Sequence, residues 1–186
     1  MQGHHCCGLP LTNALGDVQG YRWPKKTLTY WLRYRRSADL PRRDTWYLIR
    51  QALNSWQQAG GFVFKAQASH PDILLSFESG EHGDGYPFTG PGGVLAHAFF
   101  PHTGGTTFIE GDVHFDGDEK WRGLGPDGFN LLWVATHELG HSLGLDHLSP
   151  SPGSPLPIMS PYYNDGPVQI TAQDRQALQV LYEGVE

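Results

Sequence analysis

The chain has 186 residues, enough for one domain with a sizeable core. Only 17% of them are charged, Gly and Pro number 24 and 14, and the net charge is −6. That balance excludes a coiled coil or a disordered chain and argues against nucleic acid as a partner; no apolar run has the length of a membrane span, so this segment makes no membrane contact, and a monomer is expected.

Residues 1–20 read as a tail. Met1-Gln2-Gly3-His4-His5 is polar and no secretory signal heads the chain, so it reads as a piece excised from a longer protein. Cys6 and Cys7 are the only cysteines and are adjacent, so no disulfide framework exists and the fold must stand on its core and on metals. The domain proper covers residues 21–186. Thr27 to Arg33 alternates and is rich in β-formers, which predicts a strand. Asp44 to Ala59 carries a helical stripe of Trp46, Ile49, Leu53 and Trp56, ended by Gly60-Gly61. Phe62-Val63-Phe64 starts a second strand. Asp72 to Ser79 is a continuous apolar run, as in a buried central strand. Val94 to Pro101 and Asp112 to Phe115 give two more. Strand, helix, several strands and a late helix describe an α+β domain: a mixed sheet with helices packed on it.

Two groups of residues between 82 and 119 carry chemistry. His82, Asp84, His97 and His114 supply four N/O ligands and leave no open position, which fits a closed, structural zinc. Phe88-Thr89-Gly90-Pro91-Gly92-Gly93-Val94 offers backbone carbonyls, and Asp116 and Glu119 add carboxylates; hard oxygens in that number suit Ca2+, the alternative being a solvated turn.

The stretch from His137 to His147 reads H-E-x-x-H-x-x-G-x-x-H. Residues four apart share a helix face, so His137 and His141 can aim both rings at one ion. Gly144 can end the helix in a left-handed turn, and the reversed chain returns His147 as a third ligand. Three His ligands leave a fourth position open for water, the arrangement of a catalytic zinc. Asn130 to Ala135 is a helical lead-in. Downstream, Ile158-Met159-Ser160-Pro161 resembles the Met-turn beneath the zinc of metzincins.

Taken together, HGDGYPFTGPGGVLAHAFFP, GDVHFDGDEKW, HELGHSLGLDH and MSPYY make the chain similar to the catalytic domain of a matrix metalloproteinase (matrixin), from about Tyr21 to Tyr182. The resemblance implies a metzincin (zincin) fold: a twisted, mostly parallel five-stranded sheet with three helices and an active-site cleft. It implies two Zn2+ and one or more Ca2+. His137, His141 and His147 would hold the catalytic zinc, with Glu138 as acid/base acting on its water, and His82, Asp84, His97 and His114 a structural zinc. Thr89, Gly90, Gly92, Val94, Asp116 and Glu119 occupy calcium-loop positions, and Asp72 and Asp112 match acids at a second calcium. Leu95 and Ala96 fall on the edge strand that pairs with substrate. Pro161 and Tyr163 match the S1′ wall, and Trp133 stands where residue size helps set S1′ depth, unless its indole packs into the core.

The implied activity is hydrolysis of peptide bonds in extended segments of extracellular proteins, by a secreted or cell-surface enzyme subject to protein inhibitors of metalloproteinases. The competing reading is a latent or catalytically silent binding protein on the same fold. Cys7-Gly8-Leu9-Pro10 resembles the cysteine-switch segment of metalloproteinase propeptides. It departs at Cys6 and Leu11, where Arg and Asp would form the clamping ion pair. Three further departures are Thr89 for the usual Asp, a long loop from His97 to His114, and the Pro/Ser-rich SPSPGSPLP before Met159.

Overall fold

Alternation in the first predicted strand becomes alternating burial. Leu28, Tyr30 and Leu32 of β1 (Thr27–Arg33) point into the core. In the computed structural model, which describes residues 21–33, 40–101, 109–123 and 125–185, β1 lies next to the sheet's centre; Cys7 lies outside the described residues. Helix α1 (Arg42–Gly60) buries Ile49, Leu53 and Trp56 as the stripe requires, with Trp46 half-buried near its start. Gly61 ends it at φ 71°, its N–H returning to the Gln57 carbonyl.

The strands β2 (Val63–Ala66), β3 (Ile73–Glu78), β4 (Ala96–Ala98) and β5 (Val113–Asp116) complete a five-stranded sheet in the order β2-β1-β3-β5-β4. All its pairings are parallel except β4 with β5. The unbroken apolar run does form the central strand, β3. The strand expected over 94–101 is shorter, although at either end of β4 Leu95 still bonds to Asp116 of β5 and Phe99 to Asp112, just before β5. β6 (Trp121–Arg122) pairs with β7 (Phe129–Asn130) in a second small sheet that has no sequence signature, since strands of two residues carry no periodicity.

Helix α2 (Leu131–Ser142) is buried along almost its whole length. Asn130 caps its start by accepting the Trp133 N–H, and α1 braces it through the Trp56 indole, which donates to the Thr136 carbonyl at 2.8 Å. The far end is closed by both ends of the described chain. The Trp23 indole donates to Ser142 O at 2.9 Å and the Tyr182 hydroxyl to Leu143 O at 2.8 Å. These are carbonyls that a helix terminus leaves without partners. Tyr182 follows α3 (Ala172–Leu181), and the backbone N–H of Trp23 in turn donates to its hydroxyl.

Gly144 adopts φ 92°, and a Cβ there would run into the Tyr21 carbonyl; Gly61 has a similar φ with nothing within 4 Å. The left-handed conformation alone costs an L-residue about 1–2 kcal/mol. Gly61→Ala should therefore lower the unfolding free energy by about that amount, and Gly144→Ala by clearly more, because it adds the steric term. Urea denaturation of both variants tests this; equal losses would mean that the Tyr21 contact carries no cost.

Candidate active site and metal centres

The sequence places two histidines on one face of α2, and their second ring nitrogens settle how they are used. His137 Nδ1 lies 2.7 Å from the Ile158 carbonyl and His141 Nδ1 2.7 Å from the Leu145 carbonyl. A carbonyl only accepts, so each Nδ1 carries the proton and each Nε2 presents a lone pair. Those two Nε2 atoms are 3.1 Å apart. The ring of His147 lies 4.8 Å from that of His141 and 5.3 Å from that of His137. Burial lowers the pKa of His137 to about 3 and that of His141 well below its usual range, so both rings are neutral near pH 7. Facing lone pairs repel unless a cation lies between them. Nitrogens about 2.0–2.1 Å from a tetrahedral zinc would sit a little over 3 Å apart, so the donor set fits that ion. Glu138 is fully buried beside His137 in the chain.

Against His137 lies the turn that carries Met159, itself fully buried. Gly140 admits it, since a Cβ there would overlap Met159 Sδ and press on the Trp56 ring. The turn is held by Asp174, a residue that motif reading did not single out. Its carboxyl accepts the Ile158 and Met159 N–H groups, both at 3.1 Å, and also the Thr171 N–H and hydroxyl at 2.7 and 2.6 Å. The available signal was the Thr171-x-x-Asp174 spacing, a capping box at the start of α3.

The second histidine group also converges. Asp84 Oδ2 lies 2.8, 2.7 and 2.8 Å from ring nitrogens of His82, His97 and His114. His82 directs Nδ1–H to the Gly80 carbonyl at 2.8 Å, which leaves its Nε2 for the cluster. The Phe88 ring stacks on His82 and His97 at 5.1 and 4.8 Å, while Phe99 lies edge-on to His97 and His114. Burial lowers His97 to about 4 and lowers His114 as well. At Asp84 burial works against ionisation, but the Tyr86 amide and the His114 and His97 rings outweigh it and bring the carboxyl down to about 2. One carboxylate oxygen among three imidazoles is a donor set suited to a closed zinc site.

Asp116 is buried with Oδ2 taking no hydrogen bond, and Glu119 reaches the Gly-rich loop, accepting the Gly92 N–H at 2.6 Å. Burial pushes the Asp116 carboxyl up to about 6; the Asp118 amide opposes this, and the Asp118 and Glu119 carboxylates add to it. A buried orphan carboxylate oxygen among like charges is an environment that a cation relieves. Gly90 and Gly92 take positive φ in this loop and Val94 is half-buried at its end, while Thr89 is exposed with its hydroxyl over Gly93. Asp72 and Asp112 belong to neither histidine cluster. Asp72 is engaged by Lys25 at 2.7 Å and by the Thr29 N–H and hydroxyl. Asp112 accepts the Leu74 N–H, and burial pushes its carboxyl up to about 7.

Strand β4 forms the edge of the sheet, and α2 packs against it. The Leu95 carbonyl accepts from Asp116 on β5, so antiparallel alternation turns the backbone groups of Ala96 and Ala98 outward. Trp133 is buried, stacks on His137 at 5.4 Å and 13°, and meets Tyr163 edge-on at 5.3 Å. It also lines a cavity of about 190 Å³ with Pro155, Leu156, Pro157 and Asn164. The indole is thus buried in the core and also walls a cavity. Pro161 is half-buried, and Tyr163 accepts the Asn130 N–H at 3.0 Å. The Pro/Ser-rich stretch leaves and returns as a loop whose ends are joined by the Leu148 N–H and the Met159 carbonyl at 2.9 Å.

The family model for matrixin matches residues 22–183. Matrilysin from Homo sapiens is 40% identical over 187 residues, covering 95% of this chain and 64% of that protein. Matrix metalloproteinase-20 from Homo sapiens is also 40% identical, over 95% of this chain and 35% of its own length. Karilysin from Tannerella forsythia is 39% identical over 93% of this chain and 36% of its own. The chain thus spans less than two thirds of the length of these relatives. With the matched segment covering nearly every described element, the chain belongs to the matrixin family of peptidases.

Proposed function

We propose that this domain is a zinc-dependent endopeptidase that hydrolyses peptide bonds within extended segments of extracellular proteins. The convergence of His137, His141 and His147, with two Nδ1 protons tied to backbone carbonyls, carries the reading. Zinc held there supplies Lewis acidity toward a substrate carbonyl and acidifies water. Glu138 takes the proton from the attacking water and delivers it to the leaving amine, with no covalent enzyme intermediate. The outward groups of Ala96 and Ala98 receive the substrate backbone as an added strand, next to Leu95. The cavity beside Trp133 receives the P1′ side chain, walled by the segment of Pro161 and Tyr163. His82, Asp84, His97 and His114 hold a second, structural zinc. Asp116, Glu119 and the loop carbonyls of residues 89–94 hold Ca2+; Asp112 is the stronger candidate for a second ion, because Asp72 is engaged by Lys25. Among the described residues no helix is long and apolar enough to cross a membrane. The working partners are peptide or protein substrates and protein inhibitors of metalloproteinases, met outside the cell by a monomeric domain.

Glu138→Ala should keep its metal and its fold while turnover of a quenched peptide drops by about 10²- to 10⁴-fold, the usual share of a positioned acid–base group. Metal content and rate are measured on the same sample; near-normal turnover would remove Glu138 from the mechanism. Thr89→Asp adds a charged oxygen at the loop, so the Ca2+ concentration for half-maximal thermal protection should fall. An unchanged or higher midpoint would show that residue 89 does not face the ion. Trp133→Leu frees space beside the cavity and should raise kcat/KM for peptides with a long P1′ group by about tenfold or more, and for P1′ Leu much less. If the parent already cleaves both equally, the indole does not bound the pocket.

A further inference from the structure

The turn that flanks the cavity beside Trp133 is held from outside by a side chain on the small second sheet. Arg122, on β6, forms an ion pair through Nη2 with Asp165 Oδ1. Its other nitrogens are fixed: Nε donates to Gly128 O at 2.8 Å and Nη1 to Gly125 O at 3.0 Å. The Arg122 side chain is 14% exposed and that of Asp165 63%, so the guanidinium is a built-in anchor and the carboxylate the movable partner. The same Asp165 oxygen accepts the Tyr163 hydroxyl at 2.8 Å, and the Tyr163 oxygen accepts the Asn130 N–H at 3.0 Å. Asn130 is the N-cap of α2, and Tyr163 stands edge-on to Trp133. On either side of Asp165, Asn164 and Gly166 line the cavity, joined by the Gly166 N–H to the Asn164 side chain at 2.9 Å. The chain of contacts therefore runs from Arg122 through Asp165 to the aromatic wall and to the start of the helix that carries the zinc ligands.

We infer that Arg122 and Asp165 are positioning residues for P1′ specificity: their ion pair holds the 163–166 turn against Trp133, so that the enzyme discriminates against side chains longer than the closed pocket admits. Neither residue touches the zinc ligands or the reacting bond. Their effect is on which side chain enters, not on the chemistry. The inference rests on the proposal that this cavity is the P1′ pocket.

The test compares kcat/KM for two peptides differing only at P1′, one with Leu and one with a phenylpropyl-type group. Asp165→Asn keeps the shape and removes the charge. It should raise the long-to-Leu ratio by about three- to fivefold, the span that one surface ion pair can carry. Arg122→Gln should raise it similarly, and the double variant should add little to either single one, since all three remove the same contact. Asp165→Glu, which keeps the charge, should return most of the parental ratio. Hydrogen exchange of a peptide spanning residues 160–167 gives a readout independent of turnover and should quicken in Asp165→Asn. Trp133→Leu is run beside these variants. If it changes P1′ preference while the ratio and the exchange stay parental in Asp165→Asn, the clamp is wrong and the pocket stands. If Trp133→Leu leaves P1′ preference unmoved, it is the pocket assignment that has failed, and the inference falls with it. Additive effects of the two single variants would overturn the shared-contact account.

Discussion

The turn at Ile158–Met159 is gripped from two sides, and the rest of the site depends on that grip. From α3, the Asp174 carboxyl takes the two turn amides; from α2, His137 donates to the Ile158 carbonyl. The turn therefore fixes the tautomer and the aim of the His137 ring, and is itself fixed by a buried acid. Burying a carboxyl costs several kcal/mol unless its oxygens are well supplied with donors. Here four donors meet it, two from the turn and two from Thr171. A helix capping box and a support for the histidine cluster are thus the same hydrogen-bond set, so the start of α3 cannot fray without loosening the turn beside His137.

The same economy recurs at the other end of α2. A helix that presents two paired histidines must not bend, yet its last carbonyls lack partners within the helix. Trp23 and Tyr182 supply them from opposite ends of the described chain, and Gly144 then turns the backbone so that His147 can return. Burial keeps the His137 and His141 rings neutral, which is the protonation state that a metal requires. Packing, tautomer and charge state all act on the same lone pairs.

What was legible in the sequence was whatever is periodic or spaced by a fixed interval. The α1 stripe, the alternation of β1, the apolar run of β3 and the spacing of His137, His141 and His147 all reflect local geometry, and the structure bears each of them out. What stayed hidden were partnerships between segments. Asp174 serves amides 15 and 16 residues earlier, Arg122 meets an acid 43 residues on, and Asp72 is engaged by Lys25 across 47. No local pattern records such partners: the capping-box spacing marks Asp174 as the start of a helix but not as the acceptor of the Ile158 and Met159 amides. The shortening of β4 has a similar cause: β-forming side chains run on past Ala98, but where the ladder stops is set by the course of the chain at each end of β5.

One consequence concerns the order in which the protein is made. A ribosome delivers the chain from its N-terminal side, so His137, His141 and His147 emerge before the segment that braces them. Until Asp174 and Tyr182 have appeared, the turn under His137 lacks its carboxyl and Leu143 lacks its hydroxyl cap. The histidines are synthesised early, but their geometry is completed late. The full geometry around the three histidines therefore belongs to the finished domain and not to the nascent chain, and a chain ended before α3 would keep the Trp23 and Leu145 contacts while losing the Asp174 and Tyr182 braces.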